Sequence, residues 1–142
     1  SNQYGLTDAL LEFGKTHRFN SEYIQTMSHP SFLGQLSILT GGVHVPNPSE
    51  LLGSEVFKEY MDTLKKNFDF IIVDCAPVGT ISDAIPVGNA VDGTIFVVSA
   101  KDTNRKDAAN CVNLLQRSNV NVLGSVLTKA DFGSGSYSYY YY

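Results

Sequence analysis

The residue with the clearest capacity for chemistry is Asp74, which follows the apolar run Phe70-Ile71-Ile72-Val73. The stretch from Phe68 to Val73, broken only by Asp69, has the composition of a strand buried on both faces of a parallel sheet. Ligands of such sheets bind beyond the carboxyl ends of the strands. An acid there can hold Mg²⁺ beside a nucleotide phosphate, directly or through water. An aspartate that only ends a strand and caps the next turn fits the local sequence equally well.

The second candidate is a C-terminal tyrosine cluster, because five of the eight tyrosines lie in the last six residues. It follows the Gly/Ser linker 133–136 and has no hydrophobic periodicity, so packing in a core does not explain it. A solvated tail can enter an active site as substrate, and each phosphate would add about −1.5 to −2 charges. An aromatic tail that only adheres to another surface is the alternative. The candidate phosphate acceptors are Tyr137, Tyr139, Tyr140, Tyr141 and Tyr142.

Other charged residues carry weaker signals. Asp83 precedes a predicted helix, where an acid is more often an N-cap than a catalyst, and a secondary role near the metal or cofactor is the alternative. Three basic residues follow the predicted strand 94–98 at the presumed ligand edge. A basic group there could meet a phosphate, but a solvated helix start is the favoured interpretation. These residues are Lys101, Arg105 and Lys106.

Composition bounds the class of protein. The 142 residues are 43% hydrophobic, which suits one domain with a real core. A net charge of −4 with scattered Lys and Arg argues against nucleic-acid binding. The isolated Cys75 and Cys111 have no zinc-ligand spacing and suit a reducing cytosol. No apolar run reaches the roughly 18–20 residues that span a bilayer. Because the chain starts at Ser1 rather than Met, we expect a fragment of a longer protein.

Helical signals dominate the first half of the chain. Residues 7–13 predict a short helix with Thr7 as N-cap and Gly14 as its end. Residues 36–40 predict a strand. A helix capped by Asn47 is expected to run from Pro48 to about residue 66. Its apolar positions recur at helical spacing, at Leu51, Leu52, Val56, Tyr60 and Leu64.

Strands and helices alternate along the second half of the chain. A short helix is expected within 81–91, an amphipathic helix over 104–117, a buried strand over 94–98 and a hydrophobic strand over 120–127. Alternation of strands and helices from residue 36 to 128 predicts a parallel sheet with helices on both faces.

These segments together resemble the bacterial tyrosine autokinases (BY-kinases) that control capsule and exopolysaccharide synthesis. Walker B of that family is similar to residues 68–78, and the tyrosine cluster closes the match. The other matching segments are Gly5-Leu6-Thr7-Asp8, Leu39-Thr40-Gly41-Gly42, residues 46–52, Ser82-Asp83-Ala84, residues 90–93 and residues 122–127. The Walker A loop and the acidic second motif of the family are absent, Cys75-Ala76 replaces the commoner Thr-Pro, and Thr128 stands where related ATPases often carry Asn.

The resemblance implies a three-layer parallel α/β sheet of the P-loop NTPase type, MinD/ParA-like and incomplete at the N-terminus. Residues 1–132 would be a partial kinase domain, and 133–142 a flexible linker with the tyrosine cluster. The intact protein would use ATP and Mg²⁺ to phosphorylate its own tyrosines in trans. Asp74 would be both the metal ligand and the catalytic residue that polarises the tyrosine hydroxyl. Implied partners are a ring-like homo-oligomer, a membrane-embedded activator of the polysaccharide chain-length type and a cognate tyrosine phosphatase. The implied location is the cytoplasmic face of the plasma membrane, through a partner or an upstream transmembrane region.

Two other functions remain open at this point. A MinD- or ParA-like ATPase would share the Walker B strand but would have no use for a tyrosine tail. A non-catalytic homologue would act as a scaffold or as the substrate of an intact kinase. Since Walker A supplies much of the phosphate binding, the 142 residues alone are expected to bind ATP poorly. They are also expected to expose apolar sheet edges and to be poorly stable.

Overall fold

The computed structural model of the chain describes residues 4–28, 34–79 and 83–131. The linker and the whole tyrosine cluster therefore lie outside the described residues, and their assignment stays a prediction. The elements, in chain order, are α1 (Leu6–Thr16), a 3₁₀ turn (Ser21–Tyr23), β1 (Gln25–Ser28), β2 (Gln35–Ile38), α2 (Pro48–Leu52), α3 (Glu55–Lys65), α4 (Ala84–Ala90), β3 (Thr94–Ser99), α5 (Arg105–Arg117) and β4 (Val122–Thr128).

Two separate two-stranded sheets form within these ranges. β1 and β2 are antiparallel, whereas β3 and β4 are parallel, with Val97 opposite Val126. The helix α5 connects the parallel pair, as the alternation of elements predicted. The expected burial of the strand at 94–98 is wrong, however, because Ile95 and Val97 are each 60% exposed. Strands buried on both faces need a covering layer on each side, and one face of this pair lacks it.

α1 begins and ends at other residues than the sequence predicted. Gly5 is the N-cap, and its N–H donates to Asp8 Oδ2 at 3.0 Å. Thr7 is buried inside the first turn, where its hydroxyl donates to the Gly41 carbonyl at 3.0 Å. The helix continues through Gly14 to Thr16, since packing of the helix outweighs the low helix propensity of one glycine. It ends at His17, which adopts a left-handed conformation with φ 52°.

The single helix expected from Pro48 to about residue 66 is two helices. Asn47 and Pro48 start α2 as predicted, but Gly53 and Ser54 end it after five residues. Ser54 then caps α3, because its hydroxyl accepts from the Phe57 N–H at 3.2 Å. In a continuous helix the Phe57 N–H would donate to a backbone carbonyl, and the Ser54 hydroxyl replaces that acceptor. A new helix start at Ser54 can therefore compete with continuation of α2.

The hydrophobic core lies between α1 and α3, with α4 at its side. Phe57 and Tyr60 on α3 are 1% exposed, as is Leu10 on α1. The rings of Phe13 and Tyr60 meet edge to face with centroids 5.3 Å apart. Val87 brings α4 to the same cluster. The core therefore includes residues of both helices, α3 and α4, that flank the segment with Asp74.

Gly5 permits a close approach between the start of α1 and the segment after β2. A Cβ at Gly5 would lie 2.3 Å from the Thr40 carbonyl oxygen and 2.4 Å from the Gly42 nitrogen. Gly5→Ala is therefore expected to destabilise the chain by about 1–3 kcal/mol through overpacking. Gly41→Ala is the matched control, because a Cβ there meets nothing within 4 Å. Urea unfolding of both variants tests the difference, and equal midpoints would contradict the tight contact.

The 3₁₀ turn is joined to α1 by a hydrogen bond between Tyr23 Oη and Glu12 Oε2 of 2.5 Å. This bond, with smaller contributions from desolvation and neighbouring carboxylates, raises the pKa of Tyr23 from 10.0 to about 12. A raised folded-state pKa means that the stabilisation is complete below pH 10 and is lost as the pH rises through 12. Unfolding midpoints measured between pH 9 and pH 12 should therefore fall more steeply in the parent chain than in Tyr23→Phe. Parallel pH profiles would show that the bond does not form.

Candidate functional site

The apolar segment that leads to Asp74 is not a strand. Its side chains alternate in burial: Ile71 and Val73 pack against the core, while Phe70 and Ile72 are 93% and 95% exposed. The prediction of a strand at 68–73 buried on both faces is therefore wrong in two respects. The segment pairs with no strand among the described residues, and the face that carries Phe70 and Ile72 is exposed. A strand is completed by hydrogen bonds to a neighbour, and no strand in the described parts of the chain pairs with this segment.

Asp74 lies at the end of this segment and is exposed. It also lines an open cavity of about 430 Å³, whose other lining residues include Leu6, Ile24, Thr40 and Phe57. Among the described residues that line this cavity, Asp74 alone carries a charge at neutral pH. The structure thus places the carboxylate at the rim of an otherwise largely apolar cavity, where a ligand could reach it.

Asp83 occupies the N-cap position of α4, as the sequence predicted, but its carboxylate does not cap that helix. Instead, Asp83 Oδ1 accepts a hydrogen bond from the Ser49 hydroxyl on α2. This contact joins two residues 34 positions apart. The sequence did not indicate this contact, because it marked the 46–52 segment as a helix start and as part of the family match.

Asp74 and Asp83 both lie near the thiol of Cys75. Partial burial raises the pKa of Cys75, and the charges of Asp74 and Asp83 raise it further. A carboxylate acts in this way only from nearby, since water screens more distant charges. The two aspartates predicted as candidates thus both act electrostatically on the thiol of Cys75.

The donor chemistry of this neighbourhood suits a magnesium ion shared with a nucleotide. Within residues 4–28, 34–79 and 83–131, no group of three or more His, Cys, Asp or Glu side chains is arranged to hold a metal by itself. Mg²⁺ is usually bound by one or two carboxylates together with phosphates and water. Asp74 supplies one such carboxylate at the rim of the cavity.

The basic residues after β3 face the solvent. Lys101 is paired at 3.9 Å with Asp131, and Lys129 bonds Asp102 at 2.5 Å. The bonds from Lys129 and Ser99 lower the pKa of Asp102. Arg105 and Lys106, in the first turn of α5, are also exposed. These contacts agree with a solvated helix start and bring none of the basic residues to Asp74.

Comparison with known proteins gives consistent relatives. No protein-family model matches the chain. It is 34% identical over 105 residues to the tyrosine-protein kinase CpsD of Streptococcus pneumoniae, covering 74% of this chain and 46% of that protein. It is 31% identical over 140 residues to the tyrosine-protein kinase YwqD of Bacillus subtilis, covering 98% of this chain and 56% of that protein.

Solved structures show the same relationship. The kinase domain of the Escherichia coli tyrosine kinase ETK superposes with a TM-score of 0.70 at 29% identity, covering 99% of this chain and 52% of that domain. The mixed α/β fold with its parallel pair is therefore part of such a domain, and the predicted P-loop NTPase-like fold is confirmed. No helix in the described ranges is long and apolar enough to cross a membrane. The chain spans about half the length of its curated relatives, and over that half it is a homologue of the bacterial tyrosine-protein kinases.

Proposed function

We propose that this chain is part of an ATP-dependent protein-tyrosine kinase that phosphorylates its own C-terminal tyrosines and regulates capsular or exopolysaccharide synthesis. The observation that carries the proposal is the position of Asp74. Its carboxylate is exposed at the rim of the cavity, at the end of the segment that resembles Walker B. Similarity to named tyrosine-protein kinases over 74–98% of the chain supports the same assignment.

In this proposal Asp74 is the metal ligand and Asp83 adds negative charge beside it. Bound Mg²⁺ would neutralise charge on the phosphates that are transferred. The part played by these residues is to hold that charge at the mouth of the cavity. Ile71 and Val73, packed against the core, restrict the backbone that carries Asp74. Walker A, which would bind most of the nucleotide, has no counterpart in these 142 residues.

The proposed phosphate acceptors are the tyrosines of the C-terminal cluster. The Gly/Ser linker before them suits movement of the cluster into a neighbouring subunit, which is the basis for transfer in trans. Accumulated phosphate charge would repel the subunits of the proposed ring-like oligomer. A membrane-embedded polysaccharide chain-length-type activator, a tyrosine phosphatase and a location at the cytoplasmic face of the membrane complete the proposal.

The test is phosphopeptide mass spectrometry of the protein, purified as its gene encodes it and incubated with Mg-ATP. The expected result is phosphotyrosine in the peptide that contains residues 137–142, which disappears when ATP is omitted. ATP hydrolysis without phosphotyrosine would favour a MinD- or ParA-like ATPase instead. Phosphorylation only after addition of a related active kinase would favour the non-catalytic substrate.

A further inference from the structure

Three exposed basic residues lie at the start of α5, and the proposed function assigns them no role. Lys101 is in the turn between β3 and α5, and Arg105 and Lys106 are the first two residues of the helix. The side chains of Arg105 and Lys106 make no hydrogen bond or ion pair to any residue within 4–28, 34–79 and 83–131. We call these three residues the α5 basic surface.

The acidic residues of this region leave the α5 basic surface with unmatched positive charge. The Asp102 carboxylate is bonded to Lys129 at 2.5 Å, so each of these charges already has a partner. The ion pair of Lys101 with Asp131 is 3.9 Å long, and the two side chains are 62% and 88% exposed. Such an exposed pair is weak, so a stronger anion can displace Asp131 from it. In the first turn of α5, Asp107 stands against two cations.

The described chain ends beside this surface. Asp131, the last described residue, is the ion-pair partner of Lys101. Tyr137 and Tyr142 follow Asp131 by 6 and 11 positions. Extended chains of these lengths span at most about 22 and 40 Å, whereas the four positions from Lys101 to Arg105 span at most about 14 Å. The tyrosine cluster can therefore reach every side chain of the α5 basic surface.

Phosphorylation is what makes the tyrosine cluster complementary to this surface in charge. Residues 132–142 contain no Asp, Glu, Lys or Arg, so the unmodified side chains carry nothing that competes with Asp131. Each phosphate adds about −1.5 to −2 charges and three acceptor oxygens. Arg binds phosphate through two parallel N–H donors, and Lys binds it as a point charge.

We propose that the α5 basic surface binds the phosphorylated tyrosine cluster of its own chain. The proposal rests on the proposed function, which supplies the phosphates, and it gives the product of that reaction a binding site. A cluster held there is withdrawn from the active site of a neighbouring subunit, so phosphorylation would limit further transfer in trans. The linker favours the chain's own cluster over that of another chain, because a short flexible tether gives an effective concentration on the order of millimolar.

The test measures the fluorescence anisotropy of a labelled peptide of residues 132–142, synthesised with phosphate on its five tyrosines. The protein is purified as its gene encodes it, treated with a tyrosine phosphatase and kept without ATP. The peptide should bind with a Kd that rises between about 0.1 M and 1 M salt, where the Debye length falls from about 10 to 3 Å. The unphosphorylated peptide should bind more than about tenfold more weakly, because it lacks the charge-assisted hydrogen bonds.

Two double variants locate the binding surface. Arg105→Gln combined with Lys106→Gln should raise the Kd of the phosphopeptide by about tenfold, through loss of the same hydrogen bonds. The matched control is Lys58→Gln combined with Lys66→Gln, which removes two exposed positive charges at α3. The control should keep the Kd of the parent protein.

A competition experiment tests binding within one chain. Protein shown to carry phosphotyrosine after incubation with Mg-ATP should bind the labelled phosphopeptide more weakly, because its own cluster occupies the surface. Equal Kd values before and after that phosphorylation, or for the two double variants, overturn the inference. Equally tight binding of a single-stranded oligonucleotide would show a general polyanion surface and also overturns it. A protein that binds the phosphopeptide through Arg105 and Lys106 but forms no phosphotyrosine overturns the proposed function alone, and the surface then serves a cluster phosphorylated by another kinase.

Discussion

Asp74→Asn is expected to reduce tyrosine phosphorylation on the order of 10²–10³-fold while leaving the fold intact. Asparagine keeps the shape of the side chain and one oxygen ligand but removes the negative charge. Loss of one preorganised electrostatic contact to a transferring group typically costs this much, and a metal ligand carries such a contact. Because Asp74 is exposed and no hydrogen bond to a described residue holds it, stability should be affected little.

The matched control for this experiment is Asp69→Asn. Asp69 lies in the same segment and is also exposed, but it precedes the apolar run. Both variants lose one negative charge, so a difference between them reports on position and not on net charge. Phosphorylation rates and melting temperatures should be measured together. A fully active Asp74→Asn protein would remove the observation on which the proposed function depends.

Phe57→Ala is expected to destabilise the chain strongly, whereas Phe70→Ala should be tolerated. The two phenylalanines have the same side chain but are 1% and 93% exposed. Deleting a buried phenylalanine ring costs about 3–5 kcal/mol, and small domains have only about 5–15 kcal/mol of stability in total. Surface substitutions usually change stability by less than about 0.5 kcal/mol.

Circular dichroism during urea unfolding distinguishes the two outcomes. Phe57→Ala should show a broad transition at low urea or none, while Phe70→Ala should keep the midpoint of the parent chain. A large loss of stability in Phe70→Ala would mean that this ring is covered in solution, for example by a second polypeptide. The general instability expected of the 142 residues remains a separate prediction, which a sharp monomeric transition would contradict.

Apolar side chains are exposed along the sheet regions. Ile72 is 95% exposed, and Leu123 on β4 is 69% exposed. Strands of a doubly wound sheet are normally covered by helices on both faces and by neighbouring strands at both edges. Exposed apolar edges are also what the sequence predicts. Apolar composition by itself therefore does not show that a segment is buried.

The sequence by itself determined the local chemistry of the chain. Three features could be predicted because they depend on neighbouring residues. They are the helix start at Asn47 and Pro48, the position of Asp74 after an apolar run, and the alternation of elements that yields the parallel pair β3 and β4. So could the resemblance to bacterial tyrosine kinases, since it depends on the order of short motifs. The acceptor role of the tyrosine cluster remains a prediction.

Only the tertiary structure decided which surfaces meet. The burial of Thr7 and the exposure of Phe70 depend on how distant segments pack, which local propensity does not encode. The bond from Ser49 to Asp83 likewise joins residues 34 positions apart. A serine and an aspartate are common at helix starts, and only the contact between α2 and α4 turns these two into partners.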